Sequence, residues 1–481
     1  MTSAAKKILH ARTKIVATIG PASDSPEMIE QLIDAGADVF RINTAHGSRK
    51  SHQESIDRIR DVTRKTDRHC AILVDLAGPK IRLGQLATSP LECEAGDELH
   101  FIRDDSPQHE HELPSTYKPL VDELKEGHSV MLADGAVGLE VIDTAPDRAV
   151  CRVVSPGTIR HRQGINLPGV ALSVPSITEK DRDNALWASR AGVDFVSLSF
   201  VRGPDEIHEL RRLLTSHGST AMVIAKIEKR EALEHLEAIV DASDAVMVAR
   251  GDLGVEIDVA ETPLAQKRVI RVCQERRKPV IVATQMLDSM QQNRRPTRAE
   301  ASDVANAILD GADACMLSGE TAVGKYPRDA VEMMDRILAT TEELLRDAPQ
   351  TWGEPTADSS VHPITEAVVF GSGRIADRLN AKLVVVSSHS GETARVKAKQ
   401  RDYIPTIGVS DCEATLRRMC LFWGIIPLPH APVKDGPALR EFIQDWGIEH
   451  NAIAPGDRIV FMLGSQIAKY AHNALIVHEI E

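Results

Sequence analysis

Aromatic residues are scarce: 4 Trp, 4 Tyr and 8 Phe amount to 3% of the 481 residues. Large cores must therefore be packed from Val, Ile, Leu and Ala, which the 42% apolar content allows. Cysteine is sparse and unpatterned. The seven residues at 70, 93, 151, 273, 315, 412 and 420 form no CxxC pair and no metal-ligand spacing. They read as the reduced thiols of a cytoplasmic protein. Long apolar runs are missing too, none approaching the roughly 18 residues that cross a membrane. Residues 1–14 are polar and basic without an apolar h-region, so no secretory signal is expected. Positive charge is in deficit, with a net charge of −13. That opposes non-specific nucleic-acid binding and leaves any anionic substrate to a few local Lys and Arg residues. Neither GxxxxGK[ST] nor GxGxxG is present, so a nucleotide has to be held by other contacts.

The length suggests about three domains. Between residues 13 and 346, short β-branched runs alternate with Ala-rich helical segments. The strand candidates are 14–20, 38–43, 71–76, 193–200, 221–227, 244–249, 279–284 and 314–318, apolar on both faces as helix-covered parallel strands should be. Helical segments such as 178–191, 203–217 and 297–310 lie between them. Eight strands in this alternation predict a (β/α)8 TIM barrel, with a doubly wound open sheet as the alternative. After the third strand the texture changes. Residues 83–168 carry short alternating strands, Gly/Pro/Asp turns and the run His109-Glu-His111-Glu. This predicts an inserted β-rich lid domain, with the histidines in a solvated loop because no third ligand stands at useful spacing. A Pro/Gly-containing break at 349–355 reads as a linker. Beyond it, strand candidates 382–386, 406–409, 458–463 and 474–478 alternate with helices at 363–379 and 413–423, a separate α/β domain. The expected division is 1–84 with 170–350 for the barrel, 85–169 for the lid and 351–481 for the C-terminal domain.

Barrel active sites lie at the C-terminal strand ends. There the sequence places Arg41, Asn43 and His46 after strand two, Asp75, Lys80 and Arg82 after strand three, and Lys226 with Glu228 on strand five. Arg250-Gly251-Asp252 follows strand six, Thr284 strand seven, and Ser318-Gly-Glu320 strand eight. Each could be a buried ion pair of the barrel interior. Together they bring both signs of charge to one mouth. Glu228 and Asp252 are two hard oxygen ligands that suit Mg²⁺ or Mn²⁺ bridging to phosphate oxygens. Arg41, Arg82 and Lys226 supply a cationic clamp for a transferring phosphoryl group. Gly251 lets backbone amides approach a carboxylate, and Thr284 can donate a hydrogen bond or pass a proton.

These residues sit in segments that resemble the pyruvate kinase family over essentially the whole chain: KIVATIGP at 14–21, RINTAHG at 41–47, GPKIR at 78–82, GINLPG at 164–169, SFVR at 199–202, KIE at 226–228, MVARGDLGVE at 247–256, ATQML at 283–287 and PTRAEASDVANAILDGADACMLSGET at 296–321. The resemblance implies transfer of a phosphoryl group from phosphoenolpyruvate to ADP, giving pyruvate and ATP as the last step of glycolysis. It also implies a mobile lid and a C-terminal regulatory domain in a cytoplasmic homotetramer, with residues 296–300 near a subunit contact. Lys226 would stabilise the phosphoryl group and Glu228 with Asp252 would hold Mg²⁺ (or Mn²⁺). Arg41 would bind substrate phosphate, Gly251 and Asp252 amides the carboxylate, and Thr284 the substrate near enolate protonation. Asn43, His46, Arg82 and Arg162 would face the nucleotide phosphates.

Two departures carry expectations. The family's monovalent-cation site usually has Asn, Ser, Asp and Thr ligands with a Glu nearby. This chain keeps Asn43 and Asp75 but has Ala45, Leu76 and Lys80 at the other positions, so K⁺ is expected not to be required, Lys80 replacing its charge. In the lid, a paired lysine of the family is Arg162-Gln163 here, and guanidinium geometry differs from that of an ammonium. The C-terminal run Ser387-Ser388-His389-Ser390-Gly-Glu-Thr393 resembles a phosphate-binding effector loop for a sugar phosphate or AMP, or equally reads as a helix N-cap. The family's usual second lobe, Gly-Thr/Ser-Thr-Asn, is Tyr470-Ala-His-Asn473 here and keeps only the Asn. Two alternatives stay open at this point: a catalytically weak paralogue acting as a metabolite-binding regulator, and another phosphoenolpyruvate-using barrel enzyme such as a mutase or lyase.

Overall fold

A computed structural model of the chain describes residues 10–133, 135–170, 172–346, 361–464 and 473–481. The expected linker at 349–355 lies outside the described residues, as do residues 470–472 of the second effector lobe. Eight parallel strands close into a barrel: β1 (Lys14–Thr18), β2 (Val39–Asn43), β3 (Ala71–Asp75), β4 (Phe195–Leu198), β5 (Met222–Ile227), β6 (Ala245–Ala249), β7 (Val280–Ala283) and β8 (Ala314–Leu317). Closure through β1–β8 pairing rules out the open sheet. Most strands are a residue or two shorter than the apolar runs predict, and β4 four residues shorter, because the polar residues at their ends turn inward or into loops.

Strand parity explains why the mouth is charged. Successive residues alternate between the barrel interior and the helix-covered outer face. Val16, Val39, Ala71, Leu73, Phe195, Met222, Ile224 and Met247 point inward, while Ile15, Phe40, Ile72, Val74, Val196 and Val223 belong to the outer core. Continuing the inward parity by one step reaches Thr18, Arg41, Asp75, Ser197 and Lys226. The apolar layers thus end in a polar one, on the side where the active site of such a barrel belongs.

The opposite end is also charged, in a repeating way. Asp38, Asp194, Asp244 and Asp313 stand just before β2, β4, β6 and β8. Each accepts a backbone N–H from the preceding odd-numbered strand: Ile15 at 3.1 Å, Ile72 at 2.8 Å, Val223 at 2.7 Å and Val280 at 2.8 Å. Every one of these carboxylates also has a cation: Lys14 for Asp38, Arg60 and Arg417 for Asp194, Arg211 for Asp244, and Lys399 with Arg401 for Asp313. Arg417, Lys399 and Arg401 come from the C-terminal domain, so this end is the docking face between the two. One apolar cluster runs from the barrel interior into that domain.

The lid follows β3. Its six-stranded sheet takes the order Ile165–Asn166, Ser129–Leu132, Val137–Thr144, Arg148–Ser155, Glu98–Ile102 and Glu112–Pro114, and Leu91–Cys93 pairs separately with Gly157–Ile159. Alternating burial gives it a core of its own around Phe101, Leu113, Val130 and Val141. His111 is exposed beside Glu110, as a solvated loop should be. Gly78 enters the hinge at φ 66°, where a Cβ would lie 2.8 Å from the Phe200 ring, so only glycine fits. The C-terminal sheet has β9 (Leu383–Ser387), β10 (Thr406–Val409), β11 (Ile425–Pro427), β12 (Arg458–Leu463) and β13 (Ala474–Glu479) in the order β11-β10-β9-β12-β13, with β13 antiparallel. The short β11 escapes prediction because three residues ending in proline give no readable alternation.

Candidate active site

The polar layer at the barrel mouth is one connected network. Arg41, 8% exposed, donates through Nε to Asp75 Oδ2 at 2.8 Å and through Nη1 to Thr18 Oγ1 at 3.1 Å. Asp75 Oδ1 accepts from Ser197 Oγ at 2.6 Å and lies 3.5 Å from Lys226 Nζ. Lys226 Nζ also reaches Glu228 Oε1 at 2.8 Å and donates to Ser199 Oγ at 2.7 Å. The other oxygen of Glu228 accepts the Phe200 N–H at 2.7 Å. Phe200 has a φ of 56°, and this turn aims its amide at the carboxylate.

The charges respond to that crowding. Burial alone would lower the pKa of Lys226, but the carboxylates of Asp75 and Glu228 outweigh it and push the ammonium up to about 12. Burial disfavours ionised Asp75, yet Lys226, Arg41 and the Ser197 hydroxyl hold it below the usual carboxylate range. Glu228 goes the other way. Burial raises it, Asp252 raises it further, and Lys226 compensates only in part. Glu228 and Asp252 thus form a carboxylate pair in which burial and mutual repulsion both favour protonation of Glu228.

Asp252 stands in the short helix Arg250–Glu256 that follows β6. It lines a cleft of about 810 Å³ together with Lys80, Arg250, Gly251 and Thr284. Thr284 Oγ1 accepts the Gly251 N–H at 2.8 Å and donates to its neighbour Ala283 O at 2.6 Å, so its hydroxyl is fixed in direction. Thr284 and Gln285 both have positive φ, 71° and 54°. Neither is glycine, and such backbone strain is a mark of functional turns. Arg250 supports the turn by donating to the Thr284 carbonyl at 2.9 Å while pairing with Asp303.

Two hard carboxylate oxygens with several open positions fit a divalent cation completed by substrate oxygens. Among the described residues no cluster of three or more His, Cys, Asp or Glu side chains is placed to hold a metal ion.

Other expected residues fall elsewhere around the mouth. Asn43 Oδ1 accepts the Ala45 N–H at 3.1 Å, and the His46 carbonyl accepts from His52 Nε2 at 2.7 Å. Arg82 and Arg162 meet at the lid base, where Arg82 Nη1 donates to the Arg162 carbonyl at 3.1 Å. The Lys80 ammonium lies 3.6 Å from Asp252 Oδ1; Asp75 is paired with Arg41 and Lys226.

In the C-terminal domain the loop expected to bind an effector joins β9 to the helix Glu392–Ala398. Ser387 ends the strand, and Ser388 and Thr393 are buried. Ser388 Oγ accepts the Gly391 N–H at 3.1 Å and Ser390 Oγ the Glu392 N–H at 3.4 Å, bonds within the loop that leads into the helix, whose N-cap is Gly391. His389 pairs with Asp411, which holds the imidazole above its ordinary pKa. Sequence reasoning missed Thr18, Ser197 and Ser199 as site residues. Inward parity of β1 and β4 was the signal that could have found them.

Residues 10–331 match the family described as "Pyruvate kinase, barrel domain" and residues 366–478 the one described as "Pyruvate kinase, alpha/beta domain". A pyruvate kinase from Sporosarcina psychrophila is 40% identical over 478 residues, 98% of this chain and 80% of the relative. One from Staphylococcus aureus (strain MRSA252) is 41% identical over 455 residues, 94% of this chain and 77% of the relative. The crystal structure of a pyruvate kinase from Cryptosporidium parvum superimposes with a TM-score of 0.90 at 32% identity, covering 99% of this chain and 97% of the other. The two family matches and the relatives at 40% and 41% identity over most of both chains place it: the chain belongs to the pyruvate kinase family of phosphotransferases.

Proposed function

We propose that this chain moves the phosphoryl group of phosphoenolpyruvate to ADP at the barrel mouth, with Mg²⁺ and without K⁺. The observation that carries the reading is Lys226, an ammonium held between Asp75 and Glu228 with Arg41 beside it. Arg41 and Lys226 present fixed positive charge where a phosphoryl group would gather negative charge, and preorganised charge of this kind is usually the largest catalytic term. With its pKa near 12, Lys226 stays protonated throughout the working pH range. It therefore acts as a charge and not as the acid that protonates the enolate. That proton belongs to the side of Thr284, whose hydroxyl orientation is fixed by Gly251 and Ala283.

Glu228 and Asp252 would hold the divalent cation, which when bound supplies neutralisation of phosphate oxygens. The amides of Gly251 and Asp252 would receive the substrate carboxylate, the first after exchanging its bond to Thr284. Asn43, His46, Arg82 and Arg162 would serve the nucleotide phosphates. The C-terminal loop from Ser387 to Thr393 is the proposed place for a sugar phosphate or AMP. Asp411 puts a carboxylate beside that loop, so His389 has to supply the compensating charge. The glycolytic role and reduced cysteines favour the cytoplasm, and family resemblance favours a homotetramer. The intact set of Lys226, Glu228, Asp252 and Thr284 argues against a regulator without catalysis.

A lactate dehydrogenase-coupled assay tests the reading. Pyruvate should form only with ADP and a divalent cation, at a rate little changed between K⁺ and tetramethylammonium buffers. Turnover without ADP would point to a mutase or lyase. A many-fold stimulation by K⁺ would sink K⁺ independence alone.

A further inference from the structure

We infer that Lys80 occupies the place of the divalent cation at Asp252 when no metal is bound, so that metal and Lys80 compete for one carboxylate. The inference rests on the proposal that Glu228 and Asp252 are the metal ligands. Lys80 Nζ lies 3.6 Å from Asp252 Oδ1, and among the described residues this is the ion pair that Asp252 makes. Glu228 has its own ammonium in Lys226 at 2.8 Å. Each carboxylate of the pair is thus matched by one lysine. The repulsion between Glu228 and Asp252 gives both lysines a reason to stay.

The two lysines are held differently. Lys226 is buried, ends a central strand and bonds Ser199 as well. The Lys80 side chain is 31% exposed and extends from the hinge segment that leads into the lid. It lines both the mouth cleft, with Gly251 and Thr284, and a second cavity at the lid base, with Ile81, Asn166 and Phe200. A flexible lysine stem between two cavities can leave Asp252 without disturbing a packed core. An ammonium satisfies a carboxylate by charge and N–H donation, whereas a divalent ion needs the oxygen itself. An ammonium 3.6 Å from Asp252 Oδ1 and a divalent ion on the same carboxylate repel one another, so binding of either disfavours the other.

An internal competitor lowers apparent metal affinity by the fraction of molecules in which it occupies the ligand. Metal binding would then release the Lys80 charge into the cleft. This orders two events that the sequence alone left unrelated: metal arrives first, and the lysine expected to replace K⁺ becomes available afterwards.

The test is Mn²⁺ binding to the full chain, free of substrate and nucleotide and in K⁺-free buffer, followed by the electron paramagnetic resonance signal of free Mn²⁺. Lys80→Met should bind Mn²⁺ about three- to tenfold more tightly than the unaltered chain, as expected for losing a partly exposed competing charge. Lys80→Gln should do the same, and Lys80→Arg, which keeps the charge, should stay close to the starting affinity. Unchanged or weaker binding in both neutral variants overturns the inference. Asp252→Asn separates the two levels. If it loses Mn²⁺ binding while the neutral Lys80 variants are unchanged, only the role of Lys80 fails. If it binds Mn²⁺ as well as the unaltered chain, the metal site itself has been misplaced.

Discussion

The two ends of the barrel carry similar numbers of buried charges and use them differently. At the N-terminal end, Asp38, Asp194, Asp244 and Asp313 each have a strand amide and at least one cation. At the C-terminal end, Arg41 and Lys226 saturate Asp75, but Glu228 and Asp252 are left with one lysine each and with one another. A carboxylate whose bonds are complete fixes geometry. Two carboxylates that repel one another, one of them lining an open cleft, leave a place for a ligand that brings positive charge. The same residue type therefore means docking at one end and chemistry at the other, and the difference lies in the partners.

The largest expected effect removes charge from the chemical end. Lys226→Met should lower kcat by about 10³-fold or more, the scale of losing a preorganised transition-state charge. Mn²⁺ binding should survive, because Glu228 and Asp252 remain. Retained turnover in the coupled assay would refute the role given to Lys226. Next comes the docking end. Asp313→Asn leaves Lys399 and Arg401 without their counter-charge. Lys399 is already pulled below the ordinary lysine pKa by burial, with Asp313 opposing that effect. Stranding a buried cation costs about 3–5 kcal/mol, read as a lower denaturation midpoint. KM for phosphoenolpyruvate should be unchanged in the molecules that remain folded. A shifted KM at unchanged stability would mean that the two ends are not separable.

Much of this contrast could be read from the sequence, and the unread part has a physical reason. Arg41, Asp75, Lys226 and Glu228 were visible as polar residues ending apolar runs, and their convergence followed from barrel geometry. Strand boundaries came within a residue or two because β-branched runs stop where inward positions become polar. The repeat of Asp38, Asp194, Asp244 and Asp313 went unseen. Each aspartate precedes its run as an ordinary strand-entry residue, and only closure of the barrel sets it against the neighbouring strand's amide. Lys80 was visible as a departure at the family's monovalent-cation site, whereas its pairing with Asp252 depends on the direction the chain takes between β3 and the lid, which sequence does not give.

Acidity gives a smaller but signed difference between Asp75 and Glu228. Asp75 is lowered on folding, so it contributes stability above its unfolded pKa that is lost as pH falls through the lowered folded value. Glu228 is raised. Between its unfolded and its raised folded pKa the folded state holds the extra proton, so stability of the metal-free chain decreases as pH rises through that window. Mg²⁺, which competes with that proton, should flatten the decline. Thermal midpoints against pH with and without Mg²⁺ measure it. Glu228→Gln should remove the decline and leave the metal-free midpoint at neutral pH at or above that of the unaltered chain. A large drop would mean that Glu228 belongs with the satisfied carboxylates.

The smallest expected effect extends the same distinction to the cysteines. All seven are free thiols, and six are buried. Burial pushes Cys151, Cys273 and Cys315 up to about 12, which leaves almost no thiolate at neutral pH. Cys412 is the partly exposed one, beside the effector loop. Partial burial acts against its ionisation, but hydrogen bonds from the Thr415 side chain and backbone and from the Ala414 backbone hold it below the ordinary thiol value. Ellman's reagent should therefore show one fast-reacting thiol per native chain, and Cys412→Ser should remove that phase without altering turnover in the absence of effectors. Persistence of the fast phase in Cys412→Ser would mean that a buried barrel thiol is reached through opening, and that the docked end is looser than its completed ion pairs require.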